Sequence, residues 1–287
     1  MSWLKSSLVQ KHINQELHST SQAAFGILKM RSLLIPIPPL PEQEAIALVL
    51  SDTDALITSL DKLIAKKRDI KQAAMQQLLT GKQRLEGFCG DWEVKQLGDL
   101  GIFSKGSGVK KDESLSGDLP CIRYGEIYTK YNDYIKEIYS RISQKVASTA
   151  TKIEKNDILF AGSGETKEEI GKCVAFVHDI EAYAGGDIVI LRSYKCNSIF
   201  LGYYLNSLPI SRQKASKGQG DAVVHISAKA LSSIEVEIPD IKEQQAIAKV
   251  LSDMDSEISA LEQRRDKTKA LKQAMMQELL TGRIRLL

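Results

Sequence analysis

The side chains that could do chemistry are thinly spread, and none falls into a catalytic pattern. Cys89, Cys121, Cys173 and Cys196 lie far apart, with no C-x-x-C pair and no Cys/His spacing suited to zinc. No serine has a recognisable His/Asp partner. His178 reads as a surface histidine, and His225 as a side chain that steadies a loop rather than one that moves protons. The G-x-x-x-x-G-K phosphate loop is absent. So are a G-x-G-x-x-G turn after a strand and the Asn/Asp-Pro-Pro-aromatic tetrapeptide of an amino-methyltransferase. Gly106-Ser107-Gly108 and Gly162-Ser163-Gly164 are isolated fragments, read as turns whose backbone N–H groups could at most meet a phosphate. What remains is clusters of cationic and hydrogen-bonding side chains beside glycines. Lys105, Lys110 and Lys111 flank Gly106 and Gly108, and Arg123 and Tyr124 end a β-like run. Thr166 and Lys167 follow Gly164, while Arg212, Lys214, Lys217 and Gln219 lead into a glycine loop. The expectation is a chain without catalytic residues, metal or cofactor, which binds rather than reacts.

The elements that must carry these clusters are announced by an internal repeat. Glu42-Gln43-Glu44-Ala45-Ile46-Ala47 returns as Glu243-Gln244-Gln245-Ala246-Ile247-Ala248, and Gln76 to Gly81 returns as Gln277 to Gly282, always at an offset of 201. Between Glu42 and Leu85, 24 of 44 positions are identical in the second copy, far above chance for an internal match. Each copy reads as one long helix. Prolines precede it (Pro36, Pro38, Pro39 and Pro41; Pro239), with Pro41 suited to the first turn, where its missing N–H costs nothing. Thr-Gly closes each copy, and Gly81 and Gly282 suit a left-handed C-terminal cap. A helix of that span is about 55–60 Å long at 1.5 Å per residue, which points to a coiled-coil arm. Apolar residues recur three and four apart, and Ile46, Leu50 and Leu60, with Ile247, Leu251 and Leu261, are the expected pairing positions. Each copy is acidic early (Asp52, Asp54, Asp61; Asp253, Asp255, Glu262) and basic late (Lys67, Arg68, Lys71; Arg265, Lys269, Lys272). Antiparallel packing sets opposite charges against each other, so the helices are expected to run antiparallel. Two separate amphipathic helices on one core are the alternative.

The repeat extends backwards at low identity. Leu4 lies over Leu205, Phe25 over Ile226, and Ile35-Pro36-Ile37-Pro38 over Val236-Glu237-Ile238-Pro239. Residues 1–41 are then the tail of a domain whose other copy is residues 86–240, although an ordinary amphipathic extension would also fit. The body 86–240 lies between helix 1 (42–81) and helix 2 (241–282). It shows short β-like runs at 122–124, 157–160, 173–177 and 187–191. A helix interrupted near Pro209 and a last strand at 234–238 follow. The fold class is α/β: one α/β domain plus two long antiparallel coiled-coil helices. With 43% hydrophobic and 26% charged residues, no apolar run long enough to span a membrane and no signal-peptide core, the chain reads as cytoplasmic with reduced thiols. A net charge of +3 gives no global basic field, and the body carries slightly more acidic than basic side chains. Any polyanion must be met by local patches.

These features resemble the specificity subunit of type I restriction–modification systems. The resemblance rests on Ile37-Pro38-Pro39-Leu40-Pro41-Glu42-Gln43 and Ile238-Pro239-Asp240-Ile241-Lys242-Glu243-Gln244. It rests also on Val-Leu-Ser-Asp-x-Asp and Gln-x-Leu-Leu-Thr-Gly in both copies. In the body it rests on Trp92-x4-Leu97-Gly98-Asp99, Asn156-Asp157-Ile158-Leu159 and His225-Ile226-Ser227. It implies target-recognition domains that each read one half of a bipartite site in double-stranded DNA. It also implies two helices that fix their separation, modification (methyltransferase) subunits docked on the chain, and a restriction subunit bound to the assembled core. Residues 86–240 are then one complete target-recognition domain. Lys105, Lys110, Lys111, Lys167, Arg212, Lys214 and Lys217 would meet phosphates, Arg123, Thr166 and Gln219 would meet base edges, and Tyr124 lies beside them. A coiled-coil scaffold that holds methyltransferase subunits without reading DNA is the alternative. Nearly equivalent helix ends also allow two chains to pair as a homodimer on an inverted repeat.

Overall fold

The computed structural model describes residues 10, 11, 13, 14, 31, 37–220 and 222–286. Of the expected repeat in the first forty residues, Leu4, Phe25, Ile35 and Pro36 lie outside the described residues. Two compact units are present: a helical arm of residues 40–70 and 254–286, and the larger unit Lys71–Asp253. No helix among the described residues is long and apolar enough to cross a membrane.

The repeated stretches are helices α1 (Leu40–Leu78) and α7 (Ile241–Leu279). Pro41 lies within the first turn of α1. Asp240 caps α7: its Oδ1 accepts from Lys242 N–H at 2.8 Å and Glu243 N–H at 3.2 Å. Both helices end by the same device. Thr80 and Thr281 donate back to Gln76 O and Gln277 O at 2.6 Å, and Gly81 (φ +66°) and Gly282 (φ +73°) turn the chain through the left-handed region.

Ion pairs fix the helix direction in the arm. Asp54 meets Lys272, Asp61 meets Arg265, Arg68 meets Glu262, and Lys67 meets Glu257. Numbers fall in one helix as they rise in the other, so the pair is antiparallel, as the charge pattern requires. These pairs are exposed and weak, and they select orientation more than they add stability. Stability comes from the seam, where Ile46 and Leu50 pack with Leu279, Met275, Met276 and Leu280. Leu60 and Ile64 are also buried, and Leu261 is half-buried. In the larger unit Ile247 and Leu251 are buried, while in the arm Leu56, Leu63, Ile70 and Leu271 are exposed.

Two Glu–Arg latches repeat the 201 offset. In the arm, Arg285 grips the buried Glu42 through Nε at 2.6 Å and Nη2 at 2.5 Å. In the larger unit, Arg84 grips the buried Glu243 through both nitrogens at 2.5 Å. Bidentate geometry makes these the strong kind of ion pair. Their surroundings differ. Trp92 lies 3.5 Å from where a Cβ on Gly81 would sit, with Arg84 over its ring, whereas among the described residues nothing lies within 4 Å of that point on Gly282. Ile238 is 4% exposed and its counterpart Ile37 78%. Gln244 is 2% exposed and accepts from Asn197 N–H at 2.9 Å, whereas its counterpart Gln43 is exposed.

The domain between the helices holds two four-stranded sheets. One has the order β2-β10-β6-β8 and is antiparallel throughout: Gly101–Lys105, Ile188–Ser193, Asp157–Ala161 and Cys173–Ala175. The other has the order β4-β3-β9-β5: Ser140–Ile142, Leu119–Ile122, Ala182–Ala184 and Thr151–Ile153, with β3 and β9 parallel. The two sheets share a core of Ile122, Ile153, Leu159, Val174, Ala182, Ala184 and Ile190. The alternate residues Cys121, Ile142 and Tyr183 face Val109 and Ala147 on the far side of the second sheet, as a period of two demands. β1 (Glu93–Gln96) pairs with β12 (Glu235–Ile238), and β7 (Ser163–Gly164) with β11 (Val224–His225). Short helices complete the domain: α2 (Tyr124–Thr129), α3 (Gln144–Ala147), α4 (Ser198–Leu205), α5 (Leu208–Lys217) and α6 (Ala228–Ser232). The break expected near Pro209 falls between α4 and α5, with the proline in the first turn of α5. The run expected to reach Tyr124 stops at Ile122, because Arg123 is the N-cap of α2.

Candidate nucleic-acid interface

The strand registers gather the loops at one end of the larger unit. Lys105, which ends β2, pairs with Val189, and Ala161, which ends β6, pairs with Ile188 at the start of β10. Ile122, which ends β3, pairs with Ala184, which ends β9. Gly185, Gly186 and Asp187 join β9 to β10, so the loops after β2, β3 and β6 and before β10 leave together. Backbone bonds stitch them: Gly106 N–H to Ile188 O at 2.8 Å, Gly162 N–H to Asp187 O at 2.7 Å, and Gly185 N–H to Ile122 O at 2.9 Å. A Cβ on Gly106 would lie 2.2 Å from Gly185 O, so only glycine allows this approach. Both G-x-G fragments are close-packed, but the second is not the turn expected of it, since Ser163–Gly164 is strand β7; the N–H groups of Gly106 and Gly162 are taken up inside the domain rather than offered to a phosphate.

Most of the expected contact residues sit on these loops. Lys105 is exposed at the end of β2, and its carbonyl accepts from Thr151 Oγ1 at 3.0 Å. Ser107 Oγ donates to Thr149 O at 2.9 Å, which anchors the loop that carries the exposed Lys110. Lys110 N–H donates to Glu113 Oε2 at 2.8 Å and so caps a 3-10 turn, Lys111–Glu113, that Lys111 opens. Arg123 is half-buried, with its N–H on Glu126 Oε2 at 3.0 Å, and Tyr124 stands exposed on the first turn of α2. That helix holds the next loop: Tyr128 Oη donates to Ser163 O at 3.1 Å, and burial pushes its phenol up to about 12. Thr166 and Lys167 are exposed in the turn after β7, flanked by exposed Glu165, Glu168 and Glu169. Gln219 is exposed, its backbone exchanging hydrogen bonds with His225 at 2.9 and 2.7 Å.

Two basic residues depart from the expectation. Lys214 is 1% exposed; its Nζ donates to Gly171 O at 2.7 Å, and burial pushes the ammonium below its usual range. It cannot meet a phosphate from there. It pins the end of the loop that carries Thr166 and Lys167. Arg212 is exposed in the body of α5, five residues before the helix ends, and is not drawn into the loop cluster; Lys217, at that end, is half-buried. His178 is no simple surface histidine either, since its ring packs on Phe176 at 5.7 Å. Reasoning from sequence passed over one pairing at this end, Ser163 Oγ with His225 Nδ1 at 2.9 Å. The His-Ile-Ser signal was visible, but its cross-strand partner, 62 residues away, was not.

The arrangement suits recognition. Exposed cations and amides ride on loops held by internal hydrogen bonds. Cys121 and Cys173 are buried, and burial raises both thiols to about 12, so neither supplies a thiolate near neutral pH. A family model, the type I restriction modification DNA specificity domain, matches residues 2–70 and 90–271, which take in most of both helices and the body between them. The chain belongs to this family. Similar members include the type I restriction enzyme MjaVIII specificity subunit of Methanocaldococcus jannaschii, 26% identical over 272 residues, covering 88% of this chain and 63% of that protein. The putative MjaX specificity subunit of the same organism is 27% identical over 286 residues, covering 93% and 63%. The chain thus spans less than two thirds of the length of these curated relatives. Its fold matches the type I restriction–modification S subunit from M. genitalium with a TM-score of 0.59 at 18% identity, covering 94% of this chain and 70% of that one.

Proposed function

We propose that this chain is a DNA sequence-specificity subunit of a type I restriction–modification complex. It reads one half-site of double-stranded DNA without catalysing a reaction, and it acts as a scaffold for methyltransferase subunits in the cytoplasm. The observation that carries the reading is one loop-bearing domain, inside a specificity-family chain, in which the loops after β2, β3 and β6 leave from converging strand ends. Lys105, Lys110, Thr166, Lys167 and Gln219 are exposed there or on the β7–β11 ribbon beside them, and Arg123 is half-buried. Lysines on mobile stems meet phosphates and set position, while Arg, Gln and Thr present the donors and acceptors that distinguish base pairs. The restriction subunit would join the assembled core.

Methylome sequencing of cells with and without the gene tests this directly. The expected result is one methylated motif that disappears with the gene. An unchanged methylome, with the methyltransferase still bound to the chain, would instead favour a scaffold that does not read DNA. Stoichiometry belongs to the same proposal. Two copies on one complex would read an inverted repeat of a single half-site. Light scattering of the chain with its methyltransferase subunit measures this, and one copy on an asymmetric motif would refute the symmetric form.

A further inference from the structure

His225 sits in a short three-stranded ribbon at the loop end. Its own N–H and C=O both bond to Gln219, the hydrogen-bonded kind of antiparallel pair, with Cα atoms about 5.5 Å apart. Its pairing with Ser163 on the other side is therefore of the kind without backbone bonds, where side chains come closest. Directly opposed residues share a face, so Gln219, His225 and Ser163 project the same way. Ser163 is buried and its hydroxyl holds His225 Nδ1 at 2.9 Å, while the imidazole and the Gln219 side chain are exposed. The ribbon is braced from below by Tyr128 Oη on Ser163 O, and Gly220 closes its turn at φ +107°, where a Cβ would lie 2.2 Å from Val223 O. A ring fixed through Nδ1 on a braced ribbon is pre-oriented for recognition rather than left loose in solvent. In the tautomer whose Nδ1 accepts a hydrogen bond from Ser163 Oγ, the ring N–H is on Nε2 and points away from Ser163.

We propose that His225 and Gln219 form one reading head for purine edges in the major groove, with Ser163 as the residue that positions the imidazole. Gln219 offers the paired donor and acceptor that match adenine N6 and N7, and His225 Nε2 offers a single donor to a purine N7. This rests on the proposed DNA-reading function and names the residues that would discriminate bases within it.

The test is in vitro selection from a pool of randomised duplexes, with the salt dependence of binding to the selected duplex. It uses the full chain with its methyltransferase partner. Wild type should select a motif. His225→Ala should lose discrimination at one position by about tenfold, Gln219→Ala at the same or an adjacent position, and both should keep the wild-type salt slope. Ser163→Ala should relax the His225 position and leave the Gln219 position sharp, which general loosening of the loop would not do. Because His225 is exposed, its variant should melt with wild type, and should it not fold, Ser163→Ala alone still decides. A motif unchanged in both variants overturns the proposal but leaves the DNA-reading function standing. A salt slope lowered by about one unit with the motif intact makes His225 a phosphate contact and also overturns it. A wild-type chain that selects no motif defeats the DNA-reading function and the proposal together.

Discussion

Lys214 shows how side-chain identity and helix periodicity can point in opposite directions. It follows Ile210 by four residues on α5, and both are buried, so it lies on the inward face of its helix. Its charge argued for the surface, its spacing for the interior, and the spacing prevailed because Gly171 O supplies a partner. Replacing Lys214 with Ala removes a buried stem and leaves that carbonyl unsatisfied. The expected cost is about 2–4 kcal/mol of stability, with no change in the slope of log binding constant against log salt. Lys110→Ala should do the reverse, leaving the melting temperature alone and lowering the slope by about one unit. Denaturant titration and salt-dependent DNA binding on both variants would separate the roles, and a lower slope for Lys214→Ala would contradict its burial. The exposed members of the site were legible because glycines mark loops. Which loops converge was not, because that follows from strand pairings between residues as distant as Lys105 and Val189.

The long helices were the most readable elements, since proline before, Thr-Gly after and an uninterrupted apolar stripe all agree. Their ends differ from the expected bounds by three residues at most, and α7 starts at Ile241 as expected. Apolar spacing marks a broader face than is buried: Leu56, Leu63 and Ile70 share the three-and-four spacing yet are exposed. Leu60 is buried in the arm, and Leu60→Asp should cost about 3 kcal/mol or more by placing a carboxylate there. Leu261→Asp should cost less, because Leu261 is only half-buried. Thermal unfolding by circular dichroism compares them, and a Leu60→Asp chain that melts with wild type would remove Leu60 from the seam. Strands were legible where they run through the core, as at Ile158–Phe160, and missed at edges such as β1, β2 and β4, whose mixed exposure leaves no apolar run to see.

At the scale of the whole molecule the offset of 201 is a structural fact as well as a textual one, because it relates Glu42–Arg285 to Glu243–Arg84. Hydrogen bonds from Arg285 hold the Glu42 carboxyl below its usual value of 4.5. A carboxyl depressed in the folded state gives stability that is present above the unfolded value and lost as pH falls through the folded one. The melting temperatures of wild type and Glu42→Gln should therefore differ at neutral pH and converge as acidification takes the pH through and below the lowered value of the folded carboxyl. A gap that widens on acidification would break the assignment. The two latches also make the chain its own reference, because two copies of one repeated motif are held in different environments. Around Gly81 the latch is roofed by Trp92 and flanked by the buried Gln244 and Ile238; around Gly282 its counterparts Gln43 and Ile37 are exposed. Local opening follows contacts, so matched peptides should take up deuterium at different rates, 42–50 and 276–284 ahead of 243–251 and 75–83. Equal exchange would mean that helix pairing alone sets the rate. Unequal exchange would mean that duplicated stretches, alike in most of their residues, have been given separate lifetimes by what surrounds them.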